Sequence, residues 1–379
     1  MDERQVAVVG AGPSGIASAL ALKDVGVQPL VIDRATQVAA SWRGRYDRLR
    51  LNTCRPLSHL PDRPFTKGTP MFPSRDELIE HVDDHSREAG IEMNLGTEVE
   101  RIDPVDGRWS LSTSNGDIGA AQVVVSTGYE NEPLLPPWAD GGAFGGRLLH
   151  ASEYRNPAPF AGARALVVGP GCSGMEIAHD LAEGGAAKVW LSARTPPNIL
   201  MREGPGGLPG DMLGVALLHL PARLGDAVAR FGRKQDIGDL SEYGLPIPEE
   251  GVFSRLRRLG AAPTIVDKET IEAIRERRIE VVGGVEGLDS TGAQLVGGGV
   301  LDPDVVICAT GYRRGLESMV GHLDVLDERG APRTHGEKPA ATGLRFIGYV
   351  PRPGGLGYMA KQAKRAARAI ARELRSDPA

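Results

Sequence analysis

Two short apolar runs in this chain each lead straight into the spacing G-x-G-x-x-G, and few local patterns restrict a fold as tightly. The first is VAVVGAGPSG, with Gly10, Gly12 and Gly15; the second is ALVVGPGCSG, with Gly169, Gly171 and Gly174. The first glycine of such a run makes a tight strand-to-helix turn, the second lets backbone approach a pyrophosphate, and the third lets helix pack on strand. The helix N-terminus then offers free N–H groups to the phosphates. One such match is weak evidence, whereas two, each between an apolar strand and a helix, are strong. Around the first, Gln5 to Val9 is predicted as a buried parallel strand and Ser14 to Val25 as an Ala/Leu-rich helix ending near Gly26. A second strand, Val27 to Ile32, ends in Asp33, an acid placed about 20 residues past the glycines to hold a ribose hydroxyl. Arg194 and Thr195 occupy the equivalent place in the second unit, and an arginine there suits a 2′-phosphate. The two sites therefore call for different dinucleotides, FAD at the first and NADPH at the second.

The repeat extends beyond the glycines. VVVSTGY, with Thr127 and Gly128, is echoed by VVICATGY, with Thr310 and Gly311, so in each half a buried strand ends in Thr-Gly-Tyr. These are read as the points where the chain leaves one nucleotide unit and then the other. The expected fold is α/β, with two Rossmann-like domains and the second inserted into the first. Residues 1–157 and 311–379 form the FAD domain, and 158–310 the NADPH domain. Ser74, followed by Glu77, predicts a capping box for a helix over Pro73 to Ala89. Ile91 to Glu100, Trp109 to Ser112 and Val123 to Val125 are expected as strands, and Ser173 to Ala182 as a helix. Leu51 to Phe65 carries Pro56, Pro61 and Pro64, which exclude a regular helix or central strand. Pro196 to Pro263 is rich in Gly and Pro, with an amphipathic stretch at Met212 to Phe231. It reads equally as a lid, as a helical excursion on its own domain, or as the face of a homodimer. The tail, Tyr358 to Leu374, reads as a helix with Lys361, Lys364, Arg365, Arg368 and Arg372 on its solvated face.

At 379 residues the chain exceeds what one core usually supports. A net charge of −5 with mixed signs argues against nucleic acid or an anionic membrane as the main partner. A charged start, MDER, and the lack of a long apolar run predict a soluble cytoplasmic protein. Cys54, Cys172 and Cys308 are scattered singly, so neighbours build neither a disulfide framework, nor a metal site, nor a redox pair.

The segment FGGRLLHASEY places Phe144, Gly146, His150 and Tyr154 at the spacing F-x-G-x-x-x-H-x-x-x-Y, which resembles the fingerprint of flavin-containing monooxygenases. Baeyer-Villiger monooxygenases use a similar stretch with Trp at the last position, so Tyr154 points to the first group. SW, YDRLRLNT, FPSRDELIEHV, GCSGMEIAHDL, DLSEYGLP, ICATGYR and the closing GGLGYMAKQAKRAARAI look most like the YUCCA-type indole-3-pyruvate monooxygenases and their bacterial relatives. The resemblance implies NADPH reduction of FAD, reaction of the reduced flavin with dioxygen to a flavin peroxide, and transfer of one oxygen atom to a small organic substrate. It further implies FAD contacts at Gly10, Gly12, Pro13, Ser14, Gly15, Asp33, Arg34, Ser41, Trp42, Asn52, Thr53, Val99, Thr127 and Gly128. NADP contacts follow at Gly169, Gly171, Ser173, Gly174, Arg194 and Thr195, and Thr310 and Gly311 are expected to bind cofactor. Asn52 matches a family Asn near the reactive edge of the flavin, where an amide donates to a developing oxyanion or holds NADP; as a plain turn residue it would only cap local backbone. His150 reads as a structural or gating hydrogen bond rather than a proton-transfer group. The chain departs from the family at GPGGLPGDMLG, Gly204 to Gly214, where glycines are expected to loosen a substrate wall.

Oxidative decarboxylation of an aryl 2-oxo acid and oxygenation of an amine or sulfide both fit this machinery. An uncoupled NADPH oxidase is the same machine without a substrate, and a non-catalytic FAD-binding redox sensor stays open as a reading of another class. A disulfide reductase needs a cysteine pair beside the flavin, which this chain lacks.

Overall fold

The computed structural model of the chain describes residues 2–140, 144–260 and 262–376. The first strand, β1 (Asp2–Val9), runs through Val6, Ala7, Val8 and Val9, all buried, because both faces of a central parallel strand are covered. It feeds α1 (Pro13–Lys23), which has proline in its first turn, a position where the missing N–H costs nothing. β2 (Pro29–Asp33) then lies parallel to β1, with Val6 opposite Pro29. After α2 (Ala40–Arg43) comes α3 (Arg75–Glu88), opened by the predicted capping box of Ser74 and Glu77. The stretch expected as one strand over Ile91 to Glu100 is two, β3 (Glu92–Leu95) and β4 (Val99–Val105), separated by a tight turn in which Gly96 donates to the Ala35 carbonyl. With β5 (Arg108–Thr113) and β6 (Ile118–Val125) they form a sheet ordered β3-β2-β1-β6-β5-β4.

The chain leaves this sheet through a short strand, β7 (Glu132–Pro133), and enters a second one. That sheet has the order β13-β10-β9-β17-β8 and is parallel throughout, built from β8 (Arg147–His150), β9 (Arg164–Val168), β10 (Lys188–Ser192), β13 (Glu280–Val282) and β17 (Val305–Cys308). Residues 147–150, counted with the linker in the sequence reading, are hydrogen-bonded into this second sheet. α4 (Cys172–Glu183) follows β9 as α1 follows β1. Between β10 and β13 lie a two-stranded pair, β11 (Ile199–Met201) and β12 (Thr264–Val266), and the helices α5 (Gly210–Leu217), α6 (Ala222–Asp236), α7 (Val252–Leu259) and α8 (Lys268–Arg275). Asp226 of α6 accepts from Phe253 N at 2.6 Å and so caps α7. A hairpin of β14 (Val285–Asp289), β15 (Gly292–Leu295) and β16 (Val300–Leu301) precedes β17.

The return crossing, β18 (Tyr312–Arg313), pairs antiparallel with β7, Tyr312 opposite Pro133. After α9 (Glu317–Val320), β19 (Leu344–Phe346) pairs parallel with β6 in the first sheet, and α10 (Gly355–Ser376) closes the chain. Ala363, Ala366, Ala367 and Ile370 of α10 share one core with Ala17, Leu20 and Ala21 of α1; small residues on both helices let them approach closely. Of the five basic residues assigned to the outer face of α10, Lys361, Arg365, Arg368 and Arg372 are exposed, and Lys364 pairs with Asp62. Among the described residues no helix is long and apolar enough to cross a membrane.

Candidate active site

The two glycine motifs form the same backbone object. Gly10 has φ of 107° and Gly169 of 111°, a region L side chains avoid. A Cβ on Gly10 would lie 2.7 Å from the Ser126 carbonyl oxygen, and one on Gly169 2.5 Å from that of Ala309. Each motif thus rests on the end of the strand leading to its Thr-Gly-Tyr turn. Gly15 and Gly174 press on the carbonyls of Gly10 and Gly169, where a Cβ would come within 1.7 and 1.8 Å. By contrast, a Cβ on Gly12 or Gly171 would meet nothing within 4 Å, and neither α1 nor α4 has a side-chain cap at these positions. The first-turn N–H groups of both helices therefore face open space, as a pyrophosphate requires. The residues present fit two dinucleotides.

A single cavity of about 1600 Å³ begins at the first cradle and reaches across to the second unit. Gly10, Gly12, Pro13, Ser14, Asp33, Arg34, Ser41, Trp42, Asn52, Thr53, Val99, Thr127 and Gly128 line it, joined by Ser173 and Gly311 from the second half. Gly15 lies beneath the first helix turn against Gly10. Gly169, Gly171, Gly174, Arg194, Thr195 and Thr310 are outside this lining; Arg194 and Thr195 are exposed at the end of β10, and Thr310 donates to the Leu134 carbonyl. Asp33 accepts from Ala11 N at 2.6 Å and from Ala35 N at 2.8 Å. Its carboxylate thus holds the glycine loop to β2 and keeps lone pairs for a further donor. Thr127 is fixed by Tyr349, whose hydroxyl lies 2.7 Å from Thr127 Oγ1.

Where the two units meet, a cluster absent from the sequence reading surrounds Asn52. Glu176 of α4 sits between Met175 and Ile177 and is 7% exposed; it forms an ion pair with Arg202, which is 3% exposed. The Tyr46 hydroxyl donates to the second oxygen of Glu176 at 2.5 Å. Arg202 Nη2 also donates to Asn52 Oδ1 at 3.2 Å, and Asp267 lies 3.4 Å from its Nε. Burial pushes the Glu176 carboxyl above its ordinary range while Arg202 and Tyr46 oppose that shift. Tyr46 and Asn52 belong to the first unit and Glu176, Arg202 and Asp267 to the second, so this cluster joins them. The available signal was an acid inside an otherwise apolar helix stretch, which needs a partner.

The fingerprint residues are structural. His150 N donates to Glu153 Oε1 at 2.8 Å, and its ring contacts Ser152 Oγ at 3.0 Å and the Gly311 carbonyl at 3.1 Å. Burial lowers its pKa. It therefore clamps the outgoing linker to the return crossing, and it is outside the cavity lining. Tyr154 is fully buried and donates to Asp180 at 2.8 Å. The three cysteines are free, and burial pushes the thiol pKa of Cys54 and Cys308 up to about 12 and of Cys172 to about 11. These are inert thiols. The glycines of Gly204 to Gly214, expected to loosen a wall, divide between packed and open positions. Gly204 N bonds to the Leu208 carbonyl at 2.8 Å, and a Cβ on Gly210 would lie 2.5 Å from the Met201 carbonyl oxygen, whereas one on Gly206 or Gly207 would meet nothing within 4 Å.

Of the arginines near Asn52 in sequence, Arg50 is exposed and four others are engaged elsewhere. Arg43 pairs with Asp83, Arg45 with Glu130 at 2.7 Å and Arg48 with Asp180 at 3.7 Å, and Arg55 donates to the Thr69 carbonyl.

Comparison with known proteins agrees with this geometry. Residues 7–199 match the family model described as pyridine nucleotide-disulphide oxidoreductase. Indole-3-pyruvate monooxygenase YUCCA1 of Oryza sativa subsp. japonica is 34% identical over 316 residues, 82% of this chain and 77% of the relative. The flavin-containing monooxygenase from Stenotrophomonas maltophilia superposes with a TM-score of 0.74 at 20% identity, over 98% of this chain and 99% of that one. OTEMO in complex with FAD and NADP superposes with the same score at 16% identity, over 98% and 84%. Two equivalent dinucleotide cradles, a cavity reaching from the first cradle into the second unit and similarity along most of the chain place this protein in the flavin-containing monooxygenase family, with the YUCCA-type enzymes, and its cofactors are FAD and NADPH.

Proposed function

We propose that FAD occupies the cradle of residues 1–157 and 311–379, that NADPH docks on residues 158–310, and that the substrate is an aryl 2-oxo acid such as indole-3-pyruvate. In this reaction the 2-oxo acid, dioxygen, NADPH and a proton give the acid one carbon shorter, carbon dioxide, NADP⁺ and water. Bound FAD, reduced by NADPH, supplies the activation of dioxygen. The residues do the positioning: Gly12 and Gly171 admit the pyrophosphates, Asp33 receives the ribose of FAD, and Arg194 meets the 2′-phosphate. Asn52 presents its amide between the two units. The observation that carries this reading is the single cavity joining the first cradle to Asn52 and to Ser173 at the start of α4. Three free thiols fit the reducing cytoplasm.

The test supplies indole-3-pyruvate, phenylpyruvate, a tertiary amine and a thioether separately with NADPH and air, with products identified by mass. The expected product is the decarboxylated acid from the first two. N- or S-oxide with no turnover of either 2-oxo acid overturns the substrate assignment.

A further inference from the structure

Two cations in the cavity wall have no ion-pair or hydrogen-bond partner among the described residues, and only one of the two is shielded from solvent. Among the arginines lining the cavity, Arg34 and Arg45 pair with carboxylates, and Arg155, Arg233 and Arg314 donate to oxygen acceptors. Arg50 and Arg352 have neither an ion pair nor a hydrogen bond among the described residues, and Arg50 is exposed to solvent. Arg352 is half-buried, and its Nε is fully buried with no acceptor. Its guanidinium stacks over the Tyr358 ring at 4.1 Å. Stacking occupies one face of the group and leaves its edge of N–H donors free to grip a planar anion. A buried N–H without an acceptor is costly in a resting protein, and a ligand carboxylate would remove that cost.

The backbone holds Arg352 in place from both sides. Tyr349 is tied to Thr127, and Pro353 packs against Gly214 of α5, where a Cβ on that glycine would meet it at 3.2 Å. On the other flank a Cβ on Gly357 would lie 2.7 Å from the Leu57 carbonyl oxygen. Arg352 thus stands between the FAD-side turn and α5, in the cavity that Asn52 and the apolar Leu213, Leu217, Val252 and Phe253 also line. A charged end and an apolar wall together suit an arylated carboxylic acid.

Resting on the 2-oxo acid reading above, we propose that Arg352 anchors the substrate carboxylate. The test titrates the oxidised, FAD-loaded protein with indole-3-propionate, an unreactive acid, and with its neutral amide, reading the flavin difference spectrum. Wild type should bind the acid at least tenfold more tightly than the amide. Arg352→Ala should lose about ten- to a hundredfold on the acid alone, as expected for a hydrogen bond to a charged group, and Arg352→Lys should keep part of the preference. Wild type that does not prefer the acid, an alanine variant that binds it as wild type does, equal losses on acid and amide, or loss of flavin from the alanine variant would each overturn the proposal. Because this readout needs no turnover, a carboxylate preference carried by Arg352 stands even if the product assay rejects the 2-oxo acid, and the two failures are separable.

Discussion

Asn52 illustrates how a side chain far away in sequence settles what a short motif leaves open. Arg202 donates to its amide oxygen, so the amide nitrogen is the end left without a protein partner among the described residues, as a donor to a reacting oxygen should be. Asn52→Ala should therefore uncouple the enzyme: NADPH consumption continues, hydrogen peroxide replaces product, and product formation falls about 10²-fold, the usual cost of one such donor. An unchanged ratio of product to peroxide would return Asn52 to the role of a turn residue. The glycines and Asp33 were legible in the sequence because a tight turn or a strand-end acid is a local demand written in adjacent residues. The Glu176–Arg202 pair and the lone Arg352 were not, since pairing depends on which segments the fold brings together. Arg43, Arg45, Arg48 and Arg55 lie near Asn52 in sequence, yet the fold engages them with Asp83, Glu130, Asp180 and a backbone carbonyl.

Among the elements, α4 carries the sharpest contrast with its counterpart α1. Both start on the same glycine geometry, yet α1 is apolar along its buried length apart from two serines, while α4 inserts Glu176 into the joint between units. Glu176→Ala should leave Arg202 buried without its carboxylate and the Tyr46 hydroxyl without its acceptor. Breaking a buried pair from one side costs about 3–5 kcal/mol. Thermal unfolding followed by circular dichroism should show a clear loss of stability, whereas a change within experimental scatter would mean that water replaces the carboxylate. Elements with strong local signals, such as α3 with its capping box, lie within two residues of their expected limits. The strand expected over Ile91 to Glu100 broke because apolar content does not reveal the turn at Gly96, after which the chain moves from one edge of the sheet to the other.

Over the whole molecule, burial holds His81, His150, His179 and His335 below the ordinary histidine pKa, His81 at about 4. His81 stacks on Phe65 at 4.1 Å, and its Nε2 has no partner. The unfolded chain takes up these protons near pH 6.5 and the folded chain does not, so stability present above about pH 6.5 is lost as the pH falls toward 4. The melting temperature should drop between pH 7 and 5, and His81→Gln should flatten that slope; an equal slope in the variant would assign it to other groups. The two-sheet plan was readable from the repeat of strand, glycines and Thr-Gly-Tyr. The sheet membership of Arg147–His150 was not, because a four-residue strand inside a Pro/Gly-rich linker has no periodicity to show. α1 completes its packing only against α10, and β6 only against β19, elements at the opposite end of the chain. On the ribosome the first nucleotide-binding unit must wait tens of seconds for its last helix. The second unit, contiguous from β8 to β17, has all its strands in hand well before then, so the part of the protein written first is finished last.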